Sequence, residues 1–124
     1  DSLLQVLQYQ KDTSRINTLN ELTWYYLNHD FEKSEFMGLT ALKEAKQIGF
    51  FLGELTAHRR LSDIYRQINN YKKSQFHLFE AIKISDSIND PIEKLKIYNG
   101  LGNIYTDLDD FQNALIYYQK AEVD

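Results

Sequence analysis

Hydrophobic residues in this chain recur at three- and four-residue intervals along most of its length and show no sustained alternation, a pattern that predicts helices and no strands. It is clearest from Tyr98 to Ala121. Leu101, Tyr105 and Leu108 keep to one helical face, Asp109 and Asp110 interrupt it, and Phe111, Ala114, Leu115, Tyr118 and Ala121 resume it. Two amphipathic helices joined by a tight break make a helical hairpin. Elsewhere the chain reads the same way. Ser2 to Gln10 carries Leu3, Leu4 and Leu7 on one face and predicts a short leading helix. Thr13 or Ser14 is placed to cap a helix from about Arg15 to Asn28. Asp30 caps the next, Phe31 to Ile48, which Gly49 ends. A third helix spans Phe51 to Ile68, and Asn70 caps a fourth, Tyr71 to Ile88. Asp90 followed by Pro91 is a cap with proline at the first helical position, opening a helix to about Leu108. Asp110 caps the last, which ends near Glu122.

These helices repeat. Phe31, Tyr71 and Phe111 lie 40 residues apart, as do Asp30, Asn70 and Asp110; Ser34, Ser74 and Ala114; Gly38, Leu78 and Tyr118; and Ala41, Ala81 and Ala121. The first helices align as Leu19, His58 and Tyr98; Leu22, Leu61 and Leu101; Thr23, Ser62 and Gly102; and Tyr26, Tyr65 and Tyr105, with spacings of 39 and then 40. The turn at Asn28 to Asp30 is therefore one residue shorter than its counterparts. The chain divides into a leading helix and turn (1–14) and three units (15–49, 50–90 and 91–124). Within the third unit, Tyr98, Leu101, Gly102, Tyr105, Phe111, Ala114, Tyr118 and Ala121 form a pattern that resembles the tetratricopeptide repeat. The resemblance implies an all-α, right-handed superhelical array of helix-turn-helix hairpins, about seven helices in all. The family period is about 34 residues, so the helices here are extended.

The resemblance also implies a function, the binding of proteins or peptides on a concave surface lined by the first helix of each unit. That surface would carry Asn17, Asn20, Trp24, Leu27 and Asn28 from the first unit. Thr56, Arg59, Asp63, Arg66 and Gln67 would come from the second, and Lys96, Asn99, Asn103, Thr106 and Asp107 from the third. Asparagines could satisfy an extended backbone, Arg59 and Arg66 could pair with carboxylates, and Trp24 could anchor an aromatic contact. The lysine and asparagine set by which some family members hold a C-terminal carboxylate is not reproduced, since Trp24 replaces an asparagine and Gly100 an arginine.

Composition narrows the alternatives. In 124 residues, 43% hydrophobic and 26% charged, there is material for one ordinary domain. A net charge of -4 without a basic run disfavours nucleic acid as a partner. With no cysteine, disulfides and sulfur-based zinc sites are excluded. No apolar run reaches the roughly 20 residues of a membrane span. His29, His58 and His77 show no metal-ligand spacing, and the Asp107, Asp109 and Asp110 group falls at a turn that the second unit fills with Asn69 and Asn70, so capping explains it. No phosphate loop, nucleophile motif or cofactor fingerprint occurs, and the expectation is a non-catalytic region without cofactor or metal.

The opening stretch through Leu27 is similar to the start of extracytoplasmic repeat regions in certain bacterial sensor histidine kinases and related regulators. That similarity implies a periplasmic input region of a larger signalling protein. The alternative is a free-standing cytoplasmic scaffold. Leu115, Ile116 and Tyr117 lie on a last helix with no successor, so the expectation is a native chain that continues, or two copies meeting through that helix.

Overall fold

Asp30, Asn70, Asp90 and Asp110 each turn a side-chain oxygen onto backbone N–H groups of the helix that follows. Asp30 accepts from Lys33 at 3.1 Å, Asn70 from Lys73 at 3.3 Å, Asp90 from Ile92 and Glu93 at 3.1 Å, and Asp110 from Asn113 at 3.2 Å. Each bond satisfies an amide that has no partner inside its own helix. The computed structural model describes residues 12–122, which form six α-helices. These are α1 (Asp12–Tyr26), α2 (Phe31–Ile48), α3 (Phe51–Gln67), α4 (Tyr71–Ile88), α5 (Pro91–Asp107) and α6 (Phe111–Glu122). No strand occurs among the described residues. The expected leading helix, Ser2 to Gln10, lies outside them.

Left-handed residues make the stops. Gly49 ends α2 at φ 70°, Asn89 ends α4 at φ 53°, and Asn69 and Asp109 turn the second and third hairpins at φ 62° and 59°. Asparagine and aspartate are the side-chain-bearing residues that best tolerate this region. The shorter turn of the first hairpin has no such residue, and α1 unwinds at Tyr26 instead of Asn28. The start of α1 also differs from expectation. The helix is already formed at Asp12, so Thr13 and Ser14 lie in its first turn, and the Ser14 carbonyl accepts from the Thr18 hydroxyl at 3.1 Å.

Three antiparallel pairs, α1 with α2, α3 with α4 and α5 with α6, stack through α2 on α3 and α4 on α5. Leu22, Leu61 and Leu101, one column of the repeat, are fully buried, each in one of three apolar clusters that run along the stack. Inside each pair the helices approach over small residues. The Ser34 hydroxyl donates to the Thr23 carbonyl at 2.7 Å, and the Ser74 hydroxyl donates to the Ser62 carbonyl at 2.8 Å. Gly102 and Ala114 hold the same two columns in the third pair. A size exchange accompanies this approach. Thr23 faces Gly38, where an added Cβ would lie 3.3 Å from Thr23 Cγ2 and 2.9 Å from Leu61 Cδ2. Gly102 faces Tyr118, whose ring carbon Cε1 would meet an added Cβ at 2.5 Å. Ser62 and Leu78 hold intermediate sizes in those columns. The bulk moves from one helix to the other while the spacing is kept.

The same register explains two buried histidines. His58 and His77 face one another with Nδ1 atoms 2.9 Å apart, in the columns that the first pair fills with Leu19 and Met37 and the third with Tyr98 and Tyr117. Tyr98 and Tyr117 are stacked at 6.2 Å, and Tyr65 stacks on His77 at 5.5 Å as Tyr105 does on Tyr117. An Nδ1 to Nδ1 hydrogen bond requires one ring to donate and the other to accept, so both cannot be protonated. Burial lowers both imidazoles to about 4, with the neighbouring histidine adding to the effect at His58, Glu80 opposing it at both, and Lys46 and Lys73 among the nearby cations.

Two predictions follow from this packing. Gly102→Ser should destabilise the chain by about 1 to 3 kcal/mol through overpacking against Tyr118. In a Tyr118→Leu background, which reproduces the Ser62 and Leu78 combination, the same change should cost clearly less, as a double-mutant cycle by chemical denaturation would measure. The histidine pair makes stability depend on pH. Folded values below the unfolded one mean that the unfolded chain binds more protons between about pH 6.5 and 4, so stability is full above that window and falls as pH drops through it. Melting curves at pH 7 and pH 4.5 should show this fall. The double substitution His58→Leu with His77→Met, which copies the first pair, should make it shallower.

Candidate functional site

Stacking the hairpins turns α1, α3 and α5 to one side, and the charged side chains of this face join neighbouring units. Arg59 Nε donates to Glu93 Oε1 at 3.0 Å, and Lys96 reaches the other oxygen of Glu93 at 3.3 Å. Arg66 grips Asp107 with two bonds, Nε to Oδ2 at 2.5 Å and Nη2 to Oδ1 at 3.1 Å, a bidentate geometry that raises the arginine further above its ordinary value. The Gln67 amide donates to Asn28 Oδ1. α1 and α3 pack directly, whereas far fewer close backbone approaches link α3 to α5. The two arginine bridges span that wider junction.

Beside the Arg66–Asp107 bridge lies an open groove of about 680 Å³ lined by Trp24, Leu27, Asp63, Arg66, Gln67, Asn69, Tyr71 and Asp107. Trp24 is also a wall of a second hollow of about 470 Å³, shared with Glu21, Tyr25, Asn28 and Arg60. The guanidinium of Arg60 lies over the Trp24 ring, 4.9 Å from its centroid, and holds the indole in place. Arg60 Nε is buried without a hydrogen-bond partner, and burial lowers the basicity of this guanidinium. Asp63 sits among three arginines. Burial pushes its carboxyl up, while Arg60, Arg59 and Arg66 pull it down. No hydrogen bond from the described residues reaches that carboxylate.

Trp24, Leu27, Asp63, Arg66, Gln67 and Asp107 of the expected concave set thus line one groove, with Asn28 at its edge. Asn17, Lys96 and Asn99 are exposed outside it. Others have different work. Asn20 is only 3% exposed and donates to the Gly53 carbonyl at 3.2 Å, so it ties α1 to α3 and presents nothing to a ligand. Asn103 is half-buried and accepts from the Tyr118 hydroxyl at 2.5 Å, so it faces its own hairpin partner. Thr56 and Thr106 return their hydroxyls to carbonyls one turn back, at Leu52 and Gly102, both 2.9 Å away. Arg59 and Arg66 each pair with a carboxylate within the chain, at Glu93 and Asp107.

Sequence reading missed Glu21, Tyr25, Arg60, Asn69 and Tyr71 as groove or wall residues. Arg60 follows Arg59 in the chain and was overshadowed by it, and its place against Trp24 depends on α1 and α3 being neighbours. It also separated His58 from His77, which only the hairpin register brings together. Among the described residues no group of three or more histidines, aspartates or glutamates could hold a metal ion, and no helix is long and apolar enough to cross a membrane.

Residues 95–122, most of α5 and all of α6, match the family pattern of the tetratricopeptide repeat. The third hairpin is a tetratricopeptide repeat. The matched hairpin is the third unit of the 40-residue register, and the first two units repeat its packing column by column. No curated protein matches the chain. A tetratricopeptide repeat array is a protein-interaction module, and its helices here expose a face with an aromatic wall and fixed polar groups.

If the arginine bridges hold the wider junction together, Arg66→Ala should lower stability by about 1 kcal/mol or less, as suits a partly exposed pair. Leu61→Ala, at the buried core, should cost about 2 to 5 kcal/mol. Denaturant titrations of the two variants compare them directly, and equal losses would mean that the faces have been assigned the wrong way round.

Proposed function

We propose that the groove lined by α1, α3 and α5 takes an extended segment of a partner protein, and that this is the chain's role in place of catalysis. The observation that carries the reading is the pairing, in one groove, of an exposed aromatic wall at Trp24 with a carboxylate at Asp63 that no hydrogen bond from the described residues occupies. An extended segment offers backbone N–H groups to such an acceptor and apolar side chains to such a wall. Arg66 and Asp107 neutralise each other, so shape and hydrogen bonding, more than net charge, would select the partner.

The setting we favour is the input region of a larger bacterial signalling protein outside the cytoplasm, such as a sensor histidine kinase, with binding in the groove biasing a distant catalytic module. The similarity of the opening stretch through Leu27 supports it. A cytoplasmic scaffold that assembles protein complexes is the second reading, and the groove chemistry serves it equally. Leu115 and Ile116 are exposed on α6, away from the groove.

The test is a selection of displayed random peptides on the chain, followed by titration of the enriched peptides. Trp24→Ala and Asp63→Asn should each weaken binding by about tenfold or more, as the loss of a central anchor does, with melting temperatures close to that of the parent. Peptides that bind both variants as tightly as the parent would remove the groove from the function.

A further inference from the structure

The outer faces of the second helices are not uniformly polar. Phe36 on α2, Phe76 on α4 and Ile116 on α6 occupy one repeat column, and all three are exposed, Phe36 by 65%. Next to them Leu39 and Phe79 are exposed in a second column. Aromatic side chains so open to water are not required by the packing within each hairpin, which uses other columns.

α2 differs from its two counterparts in what flanks these residues. Along its outer face run Glu32, Phe36, Leu39 and Lys43, at intervals of four, three and four residues. That is the spacing of a coiled-coil seam, with apolar residues at the centre and one charge of each sign at the ends. Glu32 and Lys43 are both exposed, and neither side chain forms a hydrogen bond or ion pair with another described residue. The same positions on α4 are Lys72, Phe76, Phe79 and Lys83, with a cation at both ends, and on α6 the positions of Glu32 and Leu39 are taken by Gln112 and Gln119.

A face with opposite charges at its two ends is complementary to itself when reversed. We propose that α2 is a homodimer interface, on which a second copy of this chain docks with its own α2 antiparallel. In that arrangement Phe36 lies against the partner's Leu39, and Leu39 against the partner's Phe36. Glu32 meets the partner's Lys43 at one end, and the symmetric pair forms at the other, about 16 Å away for eleven residues of helix. A two-fold contact makes every such pair twice. The same arrangement on α4 would set lysine against lysine at both ends, and on α6 it lacks the charges, so the chemistry selects α2. The contact lies on the opposite side of each hairpin from the groove and does not depend on what the groove binds.

The test is sedimentation equilibrium of the 124-residue chain over a wide concentration range. The parent should show a monomer–dimer equilibrium. Glu32→Lys alone and Lys43→Glu alone should each weaken it by about tenfold or more, because each turns two attractions into two repulsions. Mixing the two variants should restore dimer, since each reversed site then faces the opposite charge on the other variant. Phe36→Ser should leave only monomer with unchanged helix content, and Leu115→Glu should leave the dimer intact. A parent that stays monomeric throughout, charge reversals without effect, no recovery on mixing, or a dimer lost through Leu115→Glu would each overturn the assignment.

Discussion

The structure depends on how closely two helices of a hairpin can approach, and that distance is set by the small residues between them. Where Ser34 and Ser74 hydroxyls reach carbonyls of the facing helix, no larger side chain would fit between the backbones. Each hydroxyl bond is modest in net energy, about 1 kcal/mol. The larger consequence is geometric. With the spacing fixed, the flanking columns come into register, Leu22, Leu61 and Leu101 enter the core, and large residues such as Tyr118 can lie flat against Gly102. An array of this kind is stabilised by terms within units and between neighbours, so an error in spacing would be passed along the stack.

The functional face follows from that stacking. Because α1, α3 and α5 are turned to one side, Trp24, Asp63 and Asp107, which are far apart in sequence, share one groove with Arg66. The face has little uncompensated charge, since Arg59 is matched by Glu93 and Arg66 by Asp107. These bridges fix the curvature of the wider junction and leave Trp24 and Asp63 as its open chemistry. The face is thus partly structural and partly available, and the division is made by which charged groups have found partners inside the chain.

Much of this was legible beforehand because it is local or periodic. Caps at Asp30, Asn70, Asp90 and Asp110, the left-handed stop at Gly49, and the buried leucine column all rest on rules that act within a turn of helix or on a spacing that repeats. What periodicity does not show is of another kind. Asn20 looked like a polar residue on an open face, yet the close approach of α1 and α3 buries it against Gly53. Arg59 and Arg66 looked available, but whether an arginine is free depends on the side chains of the next unit, which periodicity does not specify. His58 and His77, 19 residues apart, appeared unrelated until the facing columns were paired. Helix faces can be read from one strand of sequence, whereas partners across helices require the register between them.

The most direct measurement of the central constraint is the melting temperature of two variants at a single seam position, Ser74→Ala and Ser74→Leu. If the small-residue approach fixes hairpin spacing, the alanine variant, which copies the third hairpin at Ala114, should melt within a few degrees of the parent, a shift corresponding to about 1 kcal/mol. The leucine variant should melt far lower or fail to fold. Similar melting temperatures for the two would contradict the account, because the helices would then tolerate a larger side chain where the structure leaves no room for one.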